Sequence, residues 1–304
     1  MFILINQGKL YSMIASKYFY LILLIIIAFM SIYGGNNSGQ TLFLAGLIGC
    51  SSPTEQNNTR NTPPTIQYSV KLTVLYDNTM FLNGTTAHWG FSCMVEGMED
   101  TILFDTGSNG SILQHNIDQL NVDISKVDQI VLSHQHLDHT GGIWTVLNQH
   151  SNVTVHVPQS FEQGFVDRVT ASGAIMITHN LPDSICRNVY LTGEMGQAIK
   201  EQSMILDTDS GLVVITGCSH PGIVEILQRE LQARNRPIFL VIGGFHLLSY
   251  GSSEVETIID EFQNMNIKYV APTHCTGEDA IAAFQAAYGN FFIQAGTGRV
   301  ILIP

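Results

Sequence analysis

Apolar and polar residues follow one pattern in the first half of the chain and another in the second. In the first half, residues 68–75, 89–95 and 101–104 alternate or are continuously apolar, which is typical of β-strands. In the second half, each short apolar run precedes a segment with helical periodicity. Its predicted strands are residues 212–216, 238–242 and 268–271, and its predicted helices are residues 222–233, 254–264 and 277–287. This succession indicates an α/β fold with two sheets covered by helices.

Shorter elements are predicted between and after these runs. The strand at residues 127–132 is buried, and Thr276 is expected to cap the last helix. The remaining predictions are a helix at residues 142–147 and strands at residues 153–157, 293–294 and 300–303.

An uncharged apolar run lies near the N-terminus. Residues 18–33 read YFYLILLIIIAFMSIY, with Lys9 and Lys17 before them and no later cation until Arg60. Positive charge on the near side of an apolar run favours a cytoplasmic N-terminus and export of the chain that follows. Because of this charge asymmetry, export of the remaining chain is expected. The run itself is shorter than the ~20 residues that span a bilayer comfortably.

A second apolar run, at residues 41–49, ends in LIGC at Cys50. This ending resembles the lipobox of bacterial lipoproteins, in which the cysteine becomes the lipidated first residue. Residues 1–50 are therefore predicted to be a signal or anchor segment, cleaved or uncleaved. We expect it to hold the protein on the extracytoplasmic side of a membrane.

The stretch after Cys50 has the composition of a linker. Residues 51–65 read SSPTEQNNTRNTPPT, which offers too little apolar area to offset the entropy lost on ordering. Residues 51–65 are predicted to be a flexible tether, and residues 66–304 the folded domain.

Charge and cysteine content narrow the function classes. The formal net charge of −12 opposes sequence-independent binding of nucleic acid, so a small molecule is the expected substrate. The five cysteines show no CxxC pairing, and a disulfide framework is not indicated. Cys218 and Cys275 are expected to be small buried thiols rather than ligands.

The strongest chemical signal is the sequence HQHLDH, directly after the predicted strand at residues 127–132. His134 and His136 are two residues apart, so they point the same way in an extended chain. Asp138 and His139 follow where the chain turns into a helix and can reach a second ion. Imidazole and carboxylate ligands suit zinc, iron or manganese.

Three more histidines follow predicted strands of the second half. They are His220, His246 and His274. Sites in α/β sheets gather at the carboxyl ends of strands, so these side chains are expected to converge with the HQHLDH turn. For His246 the sequence leaves three roles open: ligand, substrate contact or support for a ligand.

Besides HQHLDH (134–139), four segments of the sequence are distinctive: FDTG (104–107), GLVVITGCSHPGIV (211–224), GGFHL (243–247) and PTHCTG (272–277). With HQHLDH and FDTG, the sequence resembles the metallo-β-lactamase superfamily across residues 68–304. The other three segments are similar to a branch named for a dihydropterin ribofuranosyl-aminobenzene phosphate synthase of methanopterin biosynthesis. The resemblance implies a four-layer αββα sandwich.

The resemblance also implies roles for single residues. Two divalent metal ions, zinc by preference with iron or manganese as alternatives, would be held by two sets of ligands. Asp105 would orient the metal turn without binding metal. The superfamily usually adds an acidic bridging ligand, but no Asp follows the strand at residues 212–216, so His220, Cys218 or single-metal occupancy are the alternatives. The sets are His134, His136 and His220 for one ion, and Asp138, His139 and His274 for the other.

Together these features predict a metal-dependent hydrolase that attacks a small ester-like substrate with activated water. Phosphoesters, phosphodiesters and lactones are the expected classes. Asp138 is assigned to proton transfer, and His246 to the leaving group or the substrate. The alternatives are a non-catalytic metal- or ligand-binding exported lipoprotein, and the synthase reaction that the branch name implies.

Overall fold

Two mixed β-sheets face each other in the computed structural model, which describes residues 69–304. The strands are β1 (Val70–Tyr76), β2 (Ser92–Glu96), β3 (Ile102–Phe104), β4 (Gln129–Val131), β5 (Thr154–Pro158), β6 (Ile175–His179), β7 (Asp183–Cys186), β8 (Val189–Leu191), β9 (Met204–Thr208), β10 (Gly211–Thr216), β11 (Ile238–Gly244), β12 (Tyr269–Thr273) and β13 (Val300–Ile303). The first sheet has the order β13-β1-β2-β3-β4-β5-β6, and the second the order β12-β11-β10-β9-β8-β7.

Helices cover the outer face of each sheet. Three of them, α1, α3 and α4, contribute to the core against the first sheet, and α5, α6 and α7 to the core against the second. The helices are α1 (Gly110–Gln119), α2 (Leu137–Thr140), α3 (Ile143–Gln149), α4 (Gln163–Ala171), α5 (Ile223–Arg234), α6 (Ser252–Asn264) and α7 (Glu278–Tyr288), with short 3-10 turns at Ile124–Lys126, His274–Thr276 and Gly289–Phe291.

Alternation along the strands explains the layers. On β10, Val213 and Ile215 belong to the core between the sheets, whereas Leu212 and Val214 pack under the helices. Successive side chains of a strand point to opposite faces, so a strand that is apolar throughout is buried on both. The predicted four-layer α/β sandwich is therefore confirmed.

Parallel pairing of the strands places the loops that carry the candidate ligands at common edges of the two sheets. Strands β3 to β6 of the first sheet run parallel, as do β10, β11 and β12 of the second. The carboxyl end of β4 leads into the HQHLDH turn, and those of β10, β11 and β12 lead toward His220, His246 and His274.

The predicted strands and helices of the second half are confirmed with ends shifted by one or two residues, with two exceptions. Residues 293–294 form no strand; Ile293 only donates its backbone N–H to Val270. Gly277, not Thr276, is the N-cap of α7, because the Thr276 hydroxyl accepts from the Phe245 amide and donates to the Thr273 carbonyl oxygen.

Several elements were not predicted from the sequence: α1, α4 and the strands β6 to β9. Edge strands explain part of this. Ile175 on β6 is exposed, and Asp183 and Ser184 on β7 are polar and exposed, so these strands carry no clear apolar period.

The predicted anchor at residues 1–50, with Cys50, and the predicted linker at residues 51–65 lie outside the described residues. The domain boundaries, the membrane anchor and the export of the protein stay predictions. Within residues 69–304, none of the helices is long and apolar enough to cross a membrane.

A histidine pair at the edge of the first sheet makes stability depend on pH. Nδ1 of His156 on β5 lies 2.9 Å from Nε2 of His179 on β6, and both residues are buried. Burial lowers the pKa of His156 to about 4 and also lowers that of His179. The unfolded imidazoles titrate near the ordinary value of about 6.5, so below that pH the unfolded chain binds more protons than the folded one.

We therefore expect stability to be lost as the pH falls from about 6.5 toward 4, with His156 contributing about 2 kcal/mol of that loss at pH 5. His156→Asn keeps a donor at the Nδ1 position and cannot titrate. Urea unfolding at pH 7.5 and pH 5 should show a smaller pH-dependent loss in this variant than in the wild type. Equal losses in the two proteins would show that the pair does not titrate on unfolding.

Candidate metal centre

The HQHLDH turn is fixed by close backbone packing after β4. His136 is the N-cap of α2, so Asp138 and His139 lie in the first turn of that short helix. The turn packs tightly at Gly141 and Gly142, where a Cβ atom would collide with the backbone oxygens of Ser108 and Thr106. The absence of a side chain at Gly141 and Gly142 thus permits this close approach.

The buried carboxylate of Asp105 fixes this turn through hydrogen bonds. The residue is fully buried, with one carboxylate oxygen 2.7 Å from the Ser133 amide. Its other oxygen lies 2.8 Å from the Ser133 hydroxyl and 2.7 Å from Nδ1 of His139. The carboxylate therefore orients His139 without lying among the ligand candidates, which matches the role predicted for Asp105.

A buried glutamate shapes the segment after β10. One oxygen of Glu201 accepts from the amides of Cys218 (2.9 Å) and Ser219 (2.8 Å), and the other from the amide of His220 (2.8 Å). Burial raises the pKa of Glu201 to about 7, and the three amide donors act in the opposite direction. Glu201 therefore fixes the loop that carries Cys218 and His220.

Two residues from the loop between β1 and β2 support the segment after β12. The Asn78 side chain donates to the backbone oxygen of His274, and its Oδ1 accepts from the Gly90 amide and lies 3.0 Å from Nδ1 of His274. The Trp89 ring packs on the His274 imidazole at a centroid distance of 4.8 Å. Trp89 Nε1 also donates to Asp138 Oδ2 over 2.8 Å.

The predicted ligands meet in two groups. In each, the ligand atoms lie within 4.8 Å of one another. The first group contains His134, His136 and His220, as predicted for one ion. The second contains Asp138, His139 and His274, as predicted for the other, together with Cys218.

Cys218 lies where the two groups meet. Its sulfur is 3.2 Å from Nε2 of His139, and it also forms a group with His220 and His246. The residue is buried, as expected, but its position beside the ligands makes it a candidate ligand itself. Of the alternatives left by the missing aspartate, the geometry favours Cys218, because it belongs to the second group and also lies within ligand distance of His220 of the first.

His246 lies at the rim of this cluster. Its ring centroid is 4.4 Å from that of His220, and its side chain is exposed. The neighbouring Cys275 side chain raises the pKa of the imidazole. This position suits contact with a substrate.

The pKa shifts of the ligand candidates favour the binding of a cation. Burial and the neighbouring imidazoles lower the pKa of His134 well below its usual range and that of His220 to about 4, so both are neutral. Burial raises the pKa of Asp138, but the hydrogen bond to His274 and the charge of His139 outweigh it and lower the pKa overall. For His139, burial lowers the pKa, and the Asp105 carboxylate raises it to about 9 overall.

Hydrogen-bond geometry shows that a positive charge belongs in the second group. Asp105 and Asn78 present acceptor oxygens to Nδ1 of His139 and His274, so both Nδ1 atoms donate. Both Nε2 atoms then present lone pairs, only 3.2 Å apart. A proton could be shared only between these two nitrogen atoms. A metal ion could also bind the adjoining Asp138 carboxylate and the Cys218 sulfur. In the first group, Nε2 of His220 is buried without a hydrogen-bond partner among residues 69–304. The donor set therefore fits divalent cations.

Three residues of this centre were not predicted to act in it: Glu201, Asn78 and Trp89, which support the ligands. They act through contacts between distant parts of the chain, and no local pattern marks them. The sequence left Cys218 open as an alternative ligand, although a buried thiol was the expected role.

Comparisons with known proteins agree with this geometry. The family model for the metallo-beta-lactamase superfamily matches residues 90–274. The 7,8-dihydropterin-6-methyl-4-(beta-D-ribofuranosyl)-aminobenzene-5'-phosphate synthase of Methanocaldococcus jannaschii is 24% identical over 262 residues, which cover 70% of this chain and 89% of that protein.

Two solved structures are similar as well. Tm1679, described as a metal-dependent hydrolase of the beta-lactamase superfamily, is 27% identical with a TM-score of 0.65, over 76% of this chain and 98% of that one. YhfI of Bacillus subtilis, a metallo-beta-lactamase fold protein, shares the fold at 15% identity with a TM-score of 0.56, over 76% of this chain and 99% of that one. From the family match and the fold together, this chain belongs to the metallo-β-lactamase superfamily.

Proposed function

We propose that this protein is a metal-dependent hydrolase of small ester-like substrates, with phosphoesters, phosphodiesters and lactones as the candidate classes. One observation carries the proposal: six ligand candidates from three segments of the chain meet in two adjoining groups. Similarity to the metal-dependent hydrolase Tm1679 supports it.

His134, His136 and His220 would hold one cation, and Asp138, His139 and His274 the other, with Cys218 at the junction. Zinc suits this set of nitrogen, oxygen and sulfur donors, and iron or manganese are the alternatives. When bound, such a pair of cations lowers the pKa of a shared water molecule and polarises the scissile carbonyl or phosphoryl group.

The side chains around the ligands would control orientation and proton transfer. Asp105 and Asn78 keep the hydrogen of His139 and His274 on Nδ1, which leaves each Nε2 free to coordinate. Trp89 Nε1 holds the Asp138 carboxylate in place, and that carboxylate is the assigned proton acceptor. His246, at the rim, would donate a proton to the leaving group or contact the substrate.

A synthase reaction is the second candidate, because a relative bearing that name matches 70% of this chain. Cytoplasmic pterin substrates would fit poorly with the proposed export of the protein.

The test joins metal analysis with a substrate panel. Full-length protein is purified, its metal content is measured by mass spectrometry, and hydrolysis of a phosphomonoester, a phosphodiester, a lactone and a β-lactam is assayed. We expect up to two bound cations per chain and turnover that is lost with a chelator and restored by Zn²⁺. Cobalt-loaded protein should show a sulfur-to-cobalt charge-transfer band, absent in Cys218→Ser, if Cys218 is a ligand. Bound metal without turnover of any substrate would support a non-catalytic binding protein instead.

A further inference from the structure

A cavity of about 890 Å³ opens beside the metal centre. Trp89 and His274 line it on the metal side, and the opposite side is formed by the segment after β11 and the first turns of α6 and α7. Because Trp89 also contacts Asp138, a molecule in the cavity would lie against the second group of ligand candidates. The volume is in the range of pockets that enclose small molecules.

Large apolar side chains at the cavity are partly open to solvent. Trp89 is 45% exposed, Tyr250 46% and Leu248 65%. Contiguous exposed apolar surface beside a cleft is typical of a binding site. The cavity therefore offers aromatic and aliphatic contact to a ligand.

All charged side chains that line the cavity, apart from any charge on His274, are acidic. They are Glu256, Glu278 and Asp279, and no Lys or Arg from residues 69–304 lines it. None of the three forms an ion pair within the described part of the chain. Glu278 and Asp279 lie in the first turn of α7.

On the opposite side of the metal centre, too, no cationic side chain from residues 69–304 lines the cavity where it could bind an anion. A smaller cavity of about 450 Å³ beside His220 is lined by Glu225 and by no Lys or Arg of the described residues. The ammonium group of Lys200 on that side donates to the Gly196 carbonyl oxygen. A phosphate group remote from the scissile bond would thus meet carboxylates in the larger cavity.

We propose that the larger cavity selects substrates whose non-reacting part is an aromatic or aliphatic group that is uncharged or cationic. This inference rests on the proposed function and narrows its substrate class. Carboxylates attract a cationic group, and the faces of Trp89 and Tyr250 add cation–π attraction. The same walls disfavour a substrate with a distal phosphate or carboxylate.

Binding can be measured without turnover. The chain has two tryptophans, so Trp144→Phe leaves Trp89 as the fluorescent reporter at the cavity. Trp144 packs on Phe165 and under Arg168, contacts that phenylalanine partly keeps. In this background, the full-length metal-loaded protein is titrated with benzyltrimethylammonium, benzyl alcohol and benzylsulfonate, whose sulfonate group is a weak ligand for metal ions.

We expect benzyltrimethylammonium to quench Trp89 with a Kd about tenfold below that of benzylsulfonate. Glu256→Gln and the double variant Glu278→Gln, Asp279→Asn should each weaken binding of the cation about threefold to fivefold. Asp167→Asn, which removes an exposed carboxylate from α4 on the other sheet, should have no effect.

Esters that differ only in a distal trimethylammonium or phosphonate group give the matching kinetic comparison. Equal or tighter binding of benzylsulfonate, cation binding that is unchanged in the carboxylate variants, or no quenching by any probe would overturn the inference. Turnover that prefers the phosphonate ester would overturn it and leave the proposed hydrolase intact. Selective binding of the cation without turnover of any ester would support the inference while the proposed function fails.

Discussion

Replacing Asp138 by alanine is expected to lower kcat/KM by about a thousandfold or more, equivalent to about 4 kcal/mol of transition-state stabilisation. Asp138 Oδ2 lies 3.3 Å from Nε2 of His274 and 3.7 Å from Nε2 of His139, so the variant loses the carboxylate shared by these imidazoles. It also loses the assigned proton acceptor. The value of kcat/KM from steady-state kinetics and the metal content of the protein should fall together.

A neutral isostere separates charge from shape. Asp138→Asn can still accept the Trp89 N–H, yet it lacks the negative charge that stabilises a cation, so we expect a similar loss. Circular dichroism and thermal unfolding of chelator-treated proteins check that both variants fold as the wild type does. The same loss is expected for His136→Ala, since the exposed His136 belongs to the other group. Full activity in either Ala variant would refute the assignment of the centre.

Replacing Glu201 by glutamine should destabilise the fold by about 3 kcal/mol and weaken metal binding by tenfold to a hundredfold. The carboxylate accepts three backbone amides, and a glutamine NH₂ would point donors at at least one of them. The loop that carries Cys218 and His220 would then shift or lose buried hydrogen bonds. Urea unfolding in the presence of a chelator and calorimetric titration with Zn²⁺ measure the two effects separately.

Glu230 provides the matched control. It is also buried, but it pairs with Arg234 one turn along α5 and contacts none of the ligand candidates by hydrogen bond. Glu230→Gln should lower stability and leave the affinity for Zn²⁺ unchanged. If Glu201→Gln behaved in the same way, Glu201 would be a structural residue only and not a positioning residue of the metal centre.

How much of this centre the sequence predicts depends on how far apart the contacting residues lie along the chain. His134, His136, Asp138 and His139 are four ligand candidates in six residues after an apolar strand, so local spacing alone identifies them. The convergence of His220 and His274 follows from a general rule on strand ends. Those predictions needed no knowledge of side-chain packing.

The supporting residues depend on packing that the sequence does not display. Glu201 contacts residues 17 to 19 positions later, and Asn78 contacts His274 across 196 positions. Both were missed for that reason. The edge strands β6 and β7 were missed because exposed positions blur the alternation that marks a strand.

Each group of ligand candidates draws on both sheets. His134 and His136 follow β4 of the first sheet, and their partner His220 follows β10 of the second. Asp138 and His139 likewise come from the first sheet, and His274 from the second. A cation in either group would therefore cross-link the two halves of the sandwich, so that metal uptake and the docking of one half on the other become a single coupled equilibrium.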